Sequence, residues 1–137
     1  MKLRRLKHLD KLNSMDIAKD DFVIYGSAPL VLRGLKEKNN DLDVLVKDNL
    51  WDKLKVEYPN NINGDYIDVE GISFTHRSSD FFESMDNIMK KSDIIEGYHI
   101  MNLEQTINWK EKTGAVRHIE DAKKIRDYLT NLESKIN

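Results

Sequence analysis

The chain predicts an α+β class, close to α/β in the way its elements mix: a small mixed β-sheet flanked by helices. Three observations lead there. Short apolar runs such as FVIY, LDVLV and YIDV alternate with stretches of helical periodicity. Glycine- and asparagine-rich breaks separate them. The runs Asp65 to Val69 and Ile72 to His76, joined around Gly71, read as a hairpin, which adds antiparallel pairing to an otherwise alternating order.

Taken in order, MKLRRLKHLDKL carries Leu3, Leu6, Leu9 and Leu12 at every third position with basic residues between. That is the pattern of an amphipathic helix whose leucine stripe docks on the sheet; a basic helix gripping RNA or lipid is the competing reading. Asp21 to Tyr25 reads as a strand and Gly26 as its break. Ser27 follows as N-cap of a helix from Ala28 to Lys36, whose first turn accommodates Pro29 because its N–H groups lack partners anyway. KEKNN is a loop, and Asp41 to Val46 is the second strand. Asn49 to Val56 forms a helix with Trp51 and Leu54 inward, ending in the turn YPNNING. After the hairpin come a helix from Ser79 to Lys90, a strand between Ile94 and Met101, and helices over Leu103 to Lys112 and His118 to Glu133, parted by Thr113-Gly114. There is no repeat and no linker, so residues 1–137 read as one domain with a core over 20–76 and a helical C-terminal part over 103–134.

Composition narrows the class further. The 137 residues are 39% hydrophobic and 34% charged with a net charge of -2, which points to neither nucleic acid nor a membrane surface. With no cysteine, a disulfide framework, a thiolate metal site and a thiol nucleophile are excluded. No apolar run approaches the roughly 20 residues of a membrane span, and the basic start lacks a signal peptide's hydrophobic centre. The expectation is a cytoplasmic protein without a membrane partner.

The chemistry lies in the first half. Asp41 and Asp43, two apart on one strand, share a face while Leu42 and Val44 point into the core. Two such carboxylates stay ionised when solvent or a cation separates them. Hard oxygen ligands of this kind suit Mg²⁺, which keeps several waters and bridges to phosphates. Asp68, between Ile67 and Val69, is the third carboxylate; it could hold a second ion and accept the proton of an attacking hydroxyl. Glu70 is a weaker substitute, and Asp65 a turn residue. Gly26-Ser27, between strand and helix, lets the backbone approach a phosphate that the helix N–H groups and the Ser27 hydroxyl would bind. Arg33, Lys36 and Lys38 follow, and helical geometry keeps all three from facing one way. Lys110 reads either as an exposed lysine beside a core tryptophan, Trp109, or as a contact to a nucleotide phosphate or base. His76, His99 and His118 lack metal-cluster spacing, although His76-Arg77 could border an acceptor. Trp51 and Tyr58 read as packing residues. Ser78, Ser79 and Thr113 have no triad partners in recognisable order.

This combination resembles the nucleotidyltransferase superfamily, the group sharing a polymerase-beta-like catalytic core. The matching residues are Tyr25, Gly26-Ser27, the spacer Ala28 to Asn40, Asp41-Leu42-Asp43 and Ile67-Asp68-Val69, and GSAPLVLRGL is similar to the helical start of the small bacterial members. More loosely, IMNLEQTINWKEKTGAVRHIEDAKKI is similar to a helical block in which a lysine and a later acidic residue recur, here Lys110 and Asp121. The resemblance implies the nucleotidyltransferase fold, with two Mg²⁺ ions on Asp41, Asp43 and Asp68 and the triphosphate on Gly26-Ser27; Arg33 and Lys110 are the further candidates for contact with the nucleotide. The implied reaction moves a nucleoside monophosphate from a nucleoside triphosphate to an acceptor hydroxyl, releasing pyrophosphate. The alternative is an inactive relative that binds a nucleotide or a protein, for example as a toxin–antitoxin component. The spacer is at the long end of the family's range, and no separate acceptor domain is evident. The terminal helices, a second copy of the chain or a partner protein would complete the acceptor pocket.

Overall fold

In the first strand, Phe22–Tyr25 (β1), alternate side chains point to opposite sides and all four residues are buried, so both faces of the sheet must be covered. The computed structural model describes residues 3–77, 81 and 83–136, the last by its backbone alone. It is α+β: one mixed sheet with helices packed on it. The further strands are β2 Leu42–Val46, β3 Ile62–Asn63, β4 Tyr66–Val69, β5 Ile72–Thr75, β6 Asp93–Ile95 and β7 Tyr98–Ile100, in the spatial order β3-β4-β5-β2-β1-β7-β6. Pairing is parallel for β2 with β5 and for β1 with β7, and antiparallel elsewhere.

The helices are α1 Leu9–Ser14, α2 Ala28–Leu32, α3 Asp48–Glu57, α4 Met85–Lys91, α5 Leu103–Thr113 and α6 Val116–Ile136. One face of the sheet, with Phe22, Ile24, Val44, Ile67 and Phe74, packs against the N-terminal leucines, α2 and α3 through Leu12, Leu32, Trp51 and Leu54. The other face packs Val23, Tyr25 and Leu45 against Phe81, Ile88 of α4 and Met101, with the half-buried Trp109 of α5 at its margin. A third cluster joins Leu30 of α2 to Leu103 and Ile107 of α5 and to Ala122 and Ile125 of α6. All five α2 residues are buried, because this short helix is wedged between the sheet and the α5–α6 pair. Among the described residues, no helix is long and apolar enough to cross a membrane.

Several elements depart from the sequence reading. The N-terminal leucine stripe docks on the sheet as expected, but as two pieces, a 3-10 turn Leu3–Arg5 and α1, because His8 adopts a left-handed φ of 71°. The helix after Gly26 stops at Leu32 rather than Lys36. Gly34 has φ +74°, its N–H bonds the Val31 carbonyl and the Leu35 N–H bonds the Leu30 carbonyl, a Schellman stop that returns Leu35 onto Leu30. Ser27 is helical in φ and ψ, and its side chain caps nothing. The turn YPNNING contains a 3-10 turn, Pro59–Asn61, and β3. The strand expected over Ile94 to Met101 is the hairpin β6–β7, turned by Glu96 and Gly97 at φ 50° and 84°. Helix α4 begins at Met85 with Ser84 accepting the Asn87 N–H; the earlier start at Ser79, and Ser78 with it, lies outside the described residues. Helix α6 begins at Val116, two residues before the expected His118.

Candidate functional site

Register determines what the strand carboxylates meet. Tyr25 pairs with Asp43, Asp43 with Ser73, and Ser73 with Asp68, so these four residues form one row across β1, β2, β5 and β4 on the same face. The next row on that face is Val23, Leu45, Thr75 and Tyr66. A polar row therefore borders an apolar one. Asp41 lies just before β2 and is exposed. Asp43 and Asp68 are two strand spacings apart, about 9.5 Å of backbone, and both face a cavity of about 310 Å³ that Asp41, Gly71 and Ser73 complete. Among the described residues, no group of three or more histidines and carboxylates converges closely enough to hold a metal by itself.

Gly26 carries the backbone over this row. Its φ of +78° is open to glycine, and a Cβ there would collide with the Asp43 carboxylate oxygen, so the carboxylate lies directly on the turn. Asp43 is pushed up to about 6, first by burial and then by repulsion from Asp41, while Lys110 and Arg117 pull it down and Asp68 adds repulsion. Among the described residues no side-chain hydrogen bond or ion pair offsets this cost.

A second cavity, of about 430 Å³, opens on the other side of Asp41 and Asp43. Its wall is basic and aromatic: Ser27, Lys36, Trp109, Arg117 and His118 line it, with Tyr25, Asn40, Tyr66 and Thr113. Lys36 reaches it because the Schellman stop reverses the chain; its Nζ donates to Ser27 Oγ at 3.2 Å and to Asp121 Oδ2 at 3.0 Å. The same carboxylate accepts from Lys110 Nζ at 3.0 Å, so the lysine and acidic residue picked out in the C-terminal block form a buried ion pair. Lys110 also donates to His118 Nδ1 at 3.2 Å. Burial lowers Lys110, and burial beside Lys110 and Arg117 lowers His118. For Asp121 burial acts upward, but the bonds from Lys36 and Lys110 hold it below the ordinary carboxylate range.

Asp41, Asp43, Asp68, Gly26 and Ser27 thus come together. Arg33 does not join them: its guanidinium bonds Asp93 at 2.8 Å and the Pro29 carbonyl at 2.9 Å, away from both cavities. Lys36 takes the place expected for it, since α2 ends before Arg33 can face the turn. Lys110 lies behind the cavity wall, fully buried, and reaches the site through Asp121 and His118. Glu70 is in the hairpin turn at φ 45°, paired with Lys11 at 2.7 Å, so it is no substitute for Asp68. His76 stacks on Trp51 and contacts Asp48, and Arg77 bonds Asp65; both sit past the far end of β5, away from the carboxylates. Arg117, Trp109 and His118 were missed as lining residues. They lie on two helices, α5 and α6, that only tertiary packing brings to one wall, so no local pattern marked them. Comparisons with protein-family models, curated proteins and solved structures give no match.

Proposed function

We propose that this chain is a Mg²⁺-dependent nucleotidyltransferase, moving a nucleoside monophosphate from a nucleoside triphosphate to an acceptor hydroxyl with release of pyrophosphate. One observation carries the reading: the half-buried Asp43 carboxylate, lying on the Gly26 turn, is raised to about 6 by burial and by Asp41 and has no partner among the described residues. Such a group is costly unless a cation joins it. Asp41, Asp43 and Asp68 around one cavity are hard oxygen donors of the kind Mg²⁺ takes, one or two carboxylates being completed by waters and substrate phosphates. Asp41 and Asp43 would hold it, and Asp68, across the row, would serve a second ion. Bound there, Mg²⁺ would supply positive charge against the transferred phosphoryl group and the leaving pyrophosphate.

The chain's own residues supply the rest. The Gly26 turn seats the Asp43 carboxylate, and in the adjoining cavity Ser27 Oγ, Lys36 and Arg117 would offer donors and positive charge to a phosphate. Asp121 holds Lys36 toward Ser27, limiting what must be ordered on binding. The acceptor oxygen forms a bond to the α-phosphorus as the bond to pyrophosphate breaks, and Asp68, exposed at the row's end, takes the hydroxyl proton. The test is calorimetry with Mg²⁺ and a panel of non-hydrolysable nucleoside triphosphates on wild type and on Asp41→Asn/Asp43→Asn. Loss of about a hundredfold in affinity, ~2.8 kcal/mol, is expected in the variant; equal affinity overturns the proposal. Binding without pyrophosphate release across an acceptor panel identifies the idle binder instead.

A further inference from the structure

His8 holds a left-handed backbone (φ 71°) in the middle of a leucine period that would otherwise continue as helix. A strained residue of this kind persists where its surroundings over-determine it. What His8 reaches is the loop that ends in Asp41 and the β4–β5 turn at Gly71. Its Nε2 donates to the Asn40 carbonyl at 2.9 Å, and its ring lies where any Cβ on Gly71 would have to be. Next to it, Asn39 is buried and exchanges two hydrogen bonds with the Lys7 backbone, at 3.0 and 3.1 Å, while its amide also donates to the Asp41 carbonyl at 3.2 Å. The Leu42 N–H bonds the Gly71 carbonyl at 2.9 Å.

Both peptide groups flanking Asp41 are therefore fixed, the first by His8 and the second by Asn39 and Gly71. The leucines at 3, 6 and 12 already anchor the segment in the core, so these polar ties are not needed to dock it. We propose that the N-terminal segment is a clamp in which His8 and Asn39 are positioning residues: they aim Asp41 and couple it, through Gly71, to the β4–β5 hairpin that carries Asp68. The clamp rests on the nucleotidyl-transfer reading, and it locates part of the site's metal affinity in a segment that never touches substrate.

The experiment compares wild type with His8→Gly, which keeps the left-handed backbone without strain but removes the ring, and with His8→Gln, which keeps a donor. The probe is Mn²⁺ with inorganic triphosphate, followed by calorimetry beside thermal midpoints and amide hydrogen exchange. His8→Gly is expected to keep its midpoint, to lose about tenfold in probe affinity, and to exchange faster at Asp41 and Leu42; His8→Gln recovers most of the affinity. Affinity that falls only in step with the midpoint, or that does not change, overturns the clamp while leaving the site standing. A wild type that does not bind the probe overturns the nucleotidyl-transfer reading, and with it this role for His8.

Discussion

Ser27, Lys36 and Asp121 on one side of the molecule, and Ser92, His99 and Asp20 on another, are both chains of a hydroxyl, a base and a carboxylate within hydrogen-bond reach. In the second, His99 Nδ1 lies 2.7 Å from Ser92 Oγ and Nε2 lies 3.1 Å from Asp20 Oδ1, an arrangement that resembles hydrolase machinery. Yet Ser92 donates its proton to the Met89 carbonyl at 2.6 Å, closing the end of α4, and Asp20 is 90% exposed. Every group there has its partner, and neither site cavity reaches it. The first chain borders a cavity whose other wall is Asp43, a carboxyl without a side-chain hydrogen bond or ion pair among the described residues. The two regions therefore differ in what surrounds the same residue types: mutually satisfied groups at one, and an unbonded carboxyl beside open space at the other.

The sharpest way to break this comparison is to remove Asp121. Lys110 is fully buried, so Asp121→Ala strands a charge and is expected to cost about 3–5 kcal/mol in chemical denaturation, with Lys110→Met in the same background recovering most of it. Gly26→Ala comes next: a left-handed alanine and a collision with Asp43 are expected to cost about 2–4 kcal/mol, partly regained when Asp43 is also made alanine.

Asp43→Asn has the opposite sign. The unfolded carboxyl titrates near its ordinary value and the folded one near 6, so the folded state keeps a proton that the unfolded state has lost between those values. The stability this group contributes is present below about pH 4 and lost as pH rises through 6. Without divalent metal, Asp43→Asn should therefore be more stable than wild type by about 1–3 kcal/mol at pH 7.5, a gain that shrinks toward pH 4.5; an equal gain at both pH values contradicts the assignment. The smallest effect belongs to the satisfied chain. Ser92→Ala should cost about 1 kcal/mol and leave triphosphate binding as in wild type, and a binding defect there would erase the distinction between the two regions.

The core strands were legible because alternation is a local property. Ile67 and Val69 flank Asp68, and Leu42 and Val44 flank Asp43, so which side chains turn inward could be read directly. Lys36 was harder. Gly34 was visible, but the Schellman stop depends on Leu35 finding Leu30 in the third cluster, which no local pattern states. Arg33 was misread for the same reason, since its place follows from where α2 ends and from Asp93, sixty residues away. His8 left no signal in the sequence: the leucine period continues through it, and only contact with the 39–41 loop and Gly71 selects its left-handed backbone.

By itself, the sequence determined where β1, β2, β4 and β5 run, which carboxylates leave the core, and that the chain turns at Gly26 and Gly71, because sterics and hydrophobic periodicity act over a few residues. Tertiary structure alone decided that β5 lies between β2 and β4, so that Ser73 bridges the row from Asp43 to Asp68, and that Lys36, Lys110 and Asp121 converge behind it. Those pairings depend on strand order and helix packing, which are set by the burial of the whole chain rather than by any one segment.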